Sequence, residues 1–190
     1  MNAFHQGAVM RAFVSLIAAG VLLLSGCSGR EPTREETAAV PEFRLNATIR
    51  DIMDSFVDPA ADHIWDAVSI TVTAKRREEK YPRTDEEWKE LRRRAIQIME
   101  AANLLLVPGR RVARPGENVD PRIALPPDQI EALINQDRAG FTKMAHDLYD
   151  SVLPTLQAIE AKDKDKLLEV SDGIYRACEN CHSKYWYAKR

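Results

Sequence analysis

From about residue 43 to residue 186 the apolar side chains return every three or four positions, and no run alternates apolar and polar residues as a strand would. This periodicity predicts a succession of amphipathic helices. The first spans about Phe43 to Ala74, with Leu45, Ile49, Ile52, Met53 and Phe56, then Ala60, Ile64, Ala67, Val68 and Thr71, on its inner face. Asp58-Pro59 interrupts it, because proline removes a backbone donor and clashes with the preceding turn; a kink, or a restart capped by Asp58, is expected there. The second starts at Thr84, where Glu87 completes a capping box. It carries Trp88, Leu91, Ala95, Ile98, Met99, Ala102 and Leu105 on one stripe, opposite Arg92, Arg93 and Glu100, and stops at Pro108-Gly109. The third runs from about Asp128 to Ile159 with Ile130, Leu133, Ile134, Phe141, Met144, Leu148, Val152 and Leu156 inward and a bend at Pro154. The fourth runs from about Asp163 to Trp186. Together they predict an all-α fold, an antiparallel four-helix bundle over residues 43–190.

Val107 to Pro127 is the exception. Five prolines and two glycines there exclude regular structure, and the segment also holds Arg110, Arg111, Arg114 and Arg122. An irregular connection of this length in a compact domain is often functional.

The residues before the helices read differently. Arg11 precedes a short apolar run, Ala12 to Leu24, which ends in Leu24-Ser25-Gly26-Cys27. The run is shorter than the ~20 residues a bilayer span needs but suits the apolar region of an export signal. Leu-Ser-Gly-Cys has the form of a bacterial lipobox, so residues 1–27 are expected to be a lipoprotein signal peptide with Cys27 the lipidated residue, an ordinary cleaved signal or an uncleaved anchor being the alternative. The segment from Met10 would alone make a complete signal. Ser28 in place of Asp after the cysteine points to the outer rather than the inner membrane, on the periplasmic side. Polar, proline-containing residues 28–42 read as a flexible tether.

A net charge of -2, with both signs interspersed, gives no footprint for nucleic-acid binding. The chain has three cysteines. With Cys27 assigned to lipid, Cys178 and Cys181 remain, in the run Cys178-Glu179-Asn180-Cys181-His182. On a helix, positions i, i+3 and i+4 share one face, so both thiols and the imidazole point at one plane. That is the requirement for a covalent c-type haem: two thiols add to two vinyl groups and the histidine reaches the iron beneath. Ser171, Ile174 and Tyr175 before the motif, and Tyr185 and Trp186 after it, continue the face. Gly173 leaves room there for a close approach. The other readings of Cys-x-x-Cys are a zinc half-site, which would need a second ligand pair when only His63 and His146 remain in the mature chain, and a redox dithiol, which would want a βαβ setting.

A haem motif on the last helix of a helical bundle resembles class II c-type cytochromes, the cytochrome c′ family; Cys178-Glu-Asn-Cys-His182-Ser-Lys-Tyr185 is similar to the family's terminal signature. The long connection after Leu106 and the Asp58-Pro59 break depart from the compact family pattern. The resemblance implies one covalent haem c, attached at Cys178 and Cys181, with His182 as proximal iron ligand. It also implies a distal residue on the first helix, methionine in the low-spin, electron-carrying branch and an apolar residue in the five-coordinate, gas-binding branch. Met53 is the distal candidate, although Arg50 stands three residues before it where family sequences often have arginine four before. Met99 and Met144 read as core, and His63 and His146 as surface histidines. Arg110, Arg111 and Arg114 read as a solvated loop face, with pairing to haem propionates or docking of an acidic redox partner as the alternatives. Arg176 and Lys184 lie on the haem helix.

The expected role is electron transfer with redox partner proteins of the cell envelope, held to the membrane by the lipid anchor. Family members often form dimers through the first two helices. The competing expectation is a gas-binding protein with an open distal site, and a third is a haem-free lipoprotein whose thiols bind metal. No nucleophile–base–acid arrangement or phosphate loop points to an enzyme.

Overall fold

The computed structural model describes residues 43–117 and 119–188; the expected signal peptide, Cys27 and the tether lie outside the described residues. The described chain is mostly helical. Helix α1 (Ile49–Ile52) is capped by Thr48, whose hydroxyl accepts from Asp51 N–H while the Asp51 carboxylate accepts from Thr48 N–H. It passes into a π-helical turn, Met53–Val57, and then into α2 (Asp58–Ala67). The wide turn has a local cause. Pro59 brings no N–H, and the Asp58 N–H donates to Met53 O, five residues back, so the chain carries the proline in the first turn of α2. Asp58 is therefore not the cap expected of it: it lies within the helix, and no side chain caps α2.

The first helix ends at Ala67, not Ala74. Ser69–Val72 (β1) and Arg77–Lys80 (β2) form an antiparallel hairpin, pairing Ser69 with Lys80 and Val72 with Arg77. This corrects the expectation of helix through Thr71. A β-branched run, Val68, Ile70, Thr71, Val72 and Thr73, favours strand, and the Thr73 hydroxyl accepts from the Lys75 and Arg76 N–H groups to close the turn. Both strands are exposed on both faces, so no burial alternation marks them.

Helix α3 (Asp85–Leu105) starts on the expected Thr84–Glu87 box, and its predicted stripe is buried from Trp88 to Leu105. The third region is two helices, α4 (Pro127–Gln136) and α5 (Arg138–Glu160). Asp137 breaks them with φ −127° and ψ 56°, and its carboxylate then caps α5 by accepting from Gly140 N–H at 3.0 Å. A Cβ at Gly140 would stand 2.3 Å from Asp137 Oδ2, so glycine makes room for that cap. Pro154 sits inside α5, which runs on to Glu160. The last region divides at Ser171 into α6 (Lys164–Val170) and α7 (Asp172–Tyr185).

Helix α3 packs along α5 on one side and α2 on the other; α5 packs in turn on α7 and α6. The core is aliphatic, centred on Ile52, Ile64, Leu91, Ile98, Ile130 and Ile174. Leu45 and Phe56, expected inside, are exposed. Gly173 does meet a neighbouring helix, since its Cβ would stand 3.6 Å from Ser151 O, which is ordinary contact. Among the described residues no helix is long and apolar enough to cross a membrane.

Candidate functional site

The three motif residues lie on α7 as their spacing requires. Cys178, Cys181 and His182 are half-buried, with Ile174 and Tyr185 buried on the same helix and both thiols packed against the core. Tyr175 departs from the expected wall: it is exposed and meets Trp65 edge-on. The tie between α2 and the start of α7 comes from Trp65, whose Nε1–H donates to Ser171 O at 3.2 Å.

Burial governs the electrostatics. It pushes the Cys178 thiol up to about 12, with the charge of Asp58 adding to the shift, and the Cys181 thiol up to about 11. Reactive dithiols need a lowered thiol pKa, so this environment opposes the redox-dithiol reading. Burial lowers the pKa of His182 against the opposing pull of Glu179, which keeps the imidazole neutral near pH 7 and its nitrogen available to a metal. Among the described residues, no three His, Cys, Asp or Glu side chains gather as a metal-ion site, which a zinc reading would require.

His182 opens onto a cavity of about 380 Å³ between α7 and the first helical region, within the ~300–1,000 Å³ typical of ligand pockets. Met53, the first residue of the π turn, lines the same cavity, and so do Arg50, Asp54 and Asp58 from its side and Trp186 from beyond α7. The structure thus brings Met53 and His182 to one space, with an imidazole and a thioether as donors. The thiols are not among the lining residues.

The remaining wall is the irregular connection, through Val119, Asp120, Ile123 and Ala124. Arg111 and Arg114 are exposed, as expected of a solvated loop face, and Arg110 is half-buried, but each is also paired within the protein. Arg110 donates to Leu104 O at 2.8 Å and Ala47 O at 2.5 Å, Arg111 pairs with Glu131 at 3.0 Å, and Arg114 pairs with Asp51 at 2.8 Å. Ile49 and Arg50 N–H groups donate to Arg111 O and Val112 O, so this half of the connection closes the start of α1. Lys184 is held by Asp137. His63 and His146 are exposed, Met99 is buried in the core, and Met144 is half-buried against it.

Sequence reasoning did not find Asp58, Ile123, Ala124 or Tyr187 at the site. Only the composition of residues 107–127 hinted that the connection had a role. Asp58 lies at the exposed rim, where partial loss of water and the like charges of Asp54 and Asp62 hold its carboxyl above the ordinary value. A second cavity of about 620 Å³ lies between α2 and α3, but its Glu86 and Glu90 are already paired with Arg93. Comparison with models of known protein families, with characterised proteins and with solved structures finds no match to this chain.

Proposed function

We propose that the chain is a monohaem c-type cytochrome of the class II kind, a four-helix bundle that carries electrons in the bacterial cell envelope. The observation that carries this reading is the shared cavity: His182 of the Cys178-Glu-Asn-Cys-His182 motif lines one wall and Met53 the other. The donor set fits a covalent haem, with two thiols one helical turn apart and a neutral imidazole beside them. A bound haem supplies reversible one-electron chemistry at its iron. The chain's own residues do the rest. Cys178 and Cys181 would hold the group by thioether bonds, and the His182 imidazole and the Met53 thioether would be the donors to its iron. A thioether there favours the reduced iron and raises the potential. Lipid on Cys27 keeps the protein at the periplasmic face of the outer membrane, near envelope redox partners.

The absorption spectrum of the reduced protein, with and without carbon monoxide, tests the assignment. Sharp low-spin bands indifferent to carbon monoxide are expected, and Met53→Leu should convert them to a high-spin spectrum that responds to the gas. Ready carbon monoxide binding by the parent protein would remove Met53 from the iron and favour a gas-binding protein with an open distal site. Failure of peroxidase-type haem staining after maturation in an envelope-exporting host would favour the haem-free lipoprotein.

A further inference from the structure

Beyond α7 the chain turns back on the motif. The Tyr187 hydroxyl donates to Glu179 Oε1 at 2.6 Å, and its ring meets His182 edge-on with centroids 5.6 Å apart. Trp186 flanks the imidazole at 6.0 Å with the rings tilted by 46°. From the other side the connection holds this tail. Leu125 N–H donates to Trp186 O at 2.8 Å, Ala188 N–H donates to Ile123 O at 3.2 Å, and Ala124 bridges Tyr187. Tyr187 therefore joins the position between the two cysteines, the imidazole and the cavity wall.

A histidine that binds metal usually donates its other ring N–H to a carboxylate or carbonyl, which fixes the plane of the ring. Neither ring nitrogen of His182 makes a hydrogen bond among the described residues. The terminal torsion of histidine is broad and roughly two-fold, so another restraint must set the plane. We propose that Tyr187 is a positioning residue for His182: its ring bounds the rotation of the imidazole, while the Glu179 hydrogen bond and the Ala124 bridge hold the phenol in place. The role toward iron rests on the reading of His182 as a haem ligand; the clamp on the imidazole does not.

Tyr187→Leu, Tyr187→Phe and the remote core variant Ile98→Val separate positioning from general destabilisation. In the ferric haem protein, Tyr187→Leu should shift and broaden the electron paramagnetic resonance g values; Tyr187→Phe, which keeps the ring, should shift them less, and Ile98→Val not at all. Tyr187→Phe should also speed exchange of the Ala188 amide by about tenfold, as expected for loss of one charge-assisted hydrogen bond. In protein without haem, the His182 Cε1–H resonance should be narrow in the parent and broadened in Tyr187→Leu. Identical g values in parent and Tyr187→Leu would overturn the iron-side role. Equal His182 line widths in the haem-free proteins would overturn the clamp itself. A chain that takes up no haem at all defeats the cytochrome reading and leaves this last measurement to decide the clamp.

Discussion

At the scale of single residues, the thiols pose a chemical problem. Addition to a vinyl group proceeds through available sulfur, yet burial holds the Cys178 and Cys181 thiols at about 12 and about 11, against an ordinary 9.0. An upward shift of two units leaves roughly a hundredfold less thiolate at pH 8. Folded haem-free protein should therefore alkylate with iodoacetamide about a hundredfold more slowly than the same protein in denaturant. Equal rates would show that the thiols are open, and would return the redox-dithiol reading to contention. The expected result places attachment before the fold closes around the motif. The motif was legible because its whole geometry follows from spacing along one helix. The exposure of Tyr175 was not, because Ile174 and Tyr175 are neighbours in sequence and only tertiary packing decides between them: Ile174 enters the core while Tyr175 stays exposed against Trp65. Met53 reached the cavity through a π turn, which periodicity does not encode.

At the scale of elements, Asp137 couples two helices. It caps α5 through Gly140 N–H, and its carboxylate also receives Lys184 and the Tyr185 hydroxyl from the end of α7. The Lys184 hydrogen bond, then the Gly140 N–H and the Tyr185 hydroxyl, hold its pKa below the ordinary value. A depressed folded pKa contributes stability in full above the unfolded carboxylate value of ~3.9, and that contribution fades as pH falls through the folded value. The melting temperature of the parent should accordingly drop more steeply below about pH 4 than that of Asp137→Asn, with the two curves converging in acid. Parallel curves would deny Asp137 this role. The contrast with α3 shows what an element reveals in advance. Its start was legible because Thr84 and Glu87 lie within one turn and satisfy each other. The break at Asp137 and the hairpin after Ala67 were not. Both sit in runs whose apolar spacing continues helically, and backbone preferences at Asp137 and in the Val68–Thr73 run override it.

At the scale of the whole molecule, the cavity is built from parts of the chain far apart in sequence. Its walls are the first helical region, the end of α7 with the tail behind it, and the connection that reaches both. The packing of α3 on α5 lies outside it and is complete in itself. A haem bonded to α7 and reaching Met53 would join these walls, whereas the α3–α5 interface would gain nothing directly. A covalently attached group stays on the unfolded chain, so it would stabilise the native state through the packing and ligation it makes only there, and for a domain near this size each ~1 kcal/mol moves the melting temperature by about 2–4 °C. Cys178→Ala/Cys181→Ala protein, unable to form the thioether bonds, should melt on the order of 10 °C below the haem protein. The loss should also be uneven. Amide exchange should accelerate most in Met53–Asp58 and at Leu125 and Ala188, whose partners are the cavity walls, and least at Ile98 in the centre of α3. Uniform acceleration would mean that the cavity is not a separable unit, and that haem, if it binds, steadies the fold from somewhere other than the space between Met53 and His182.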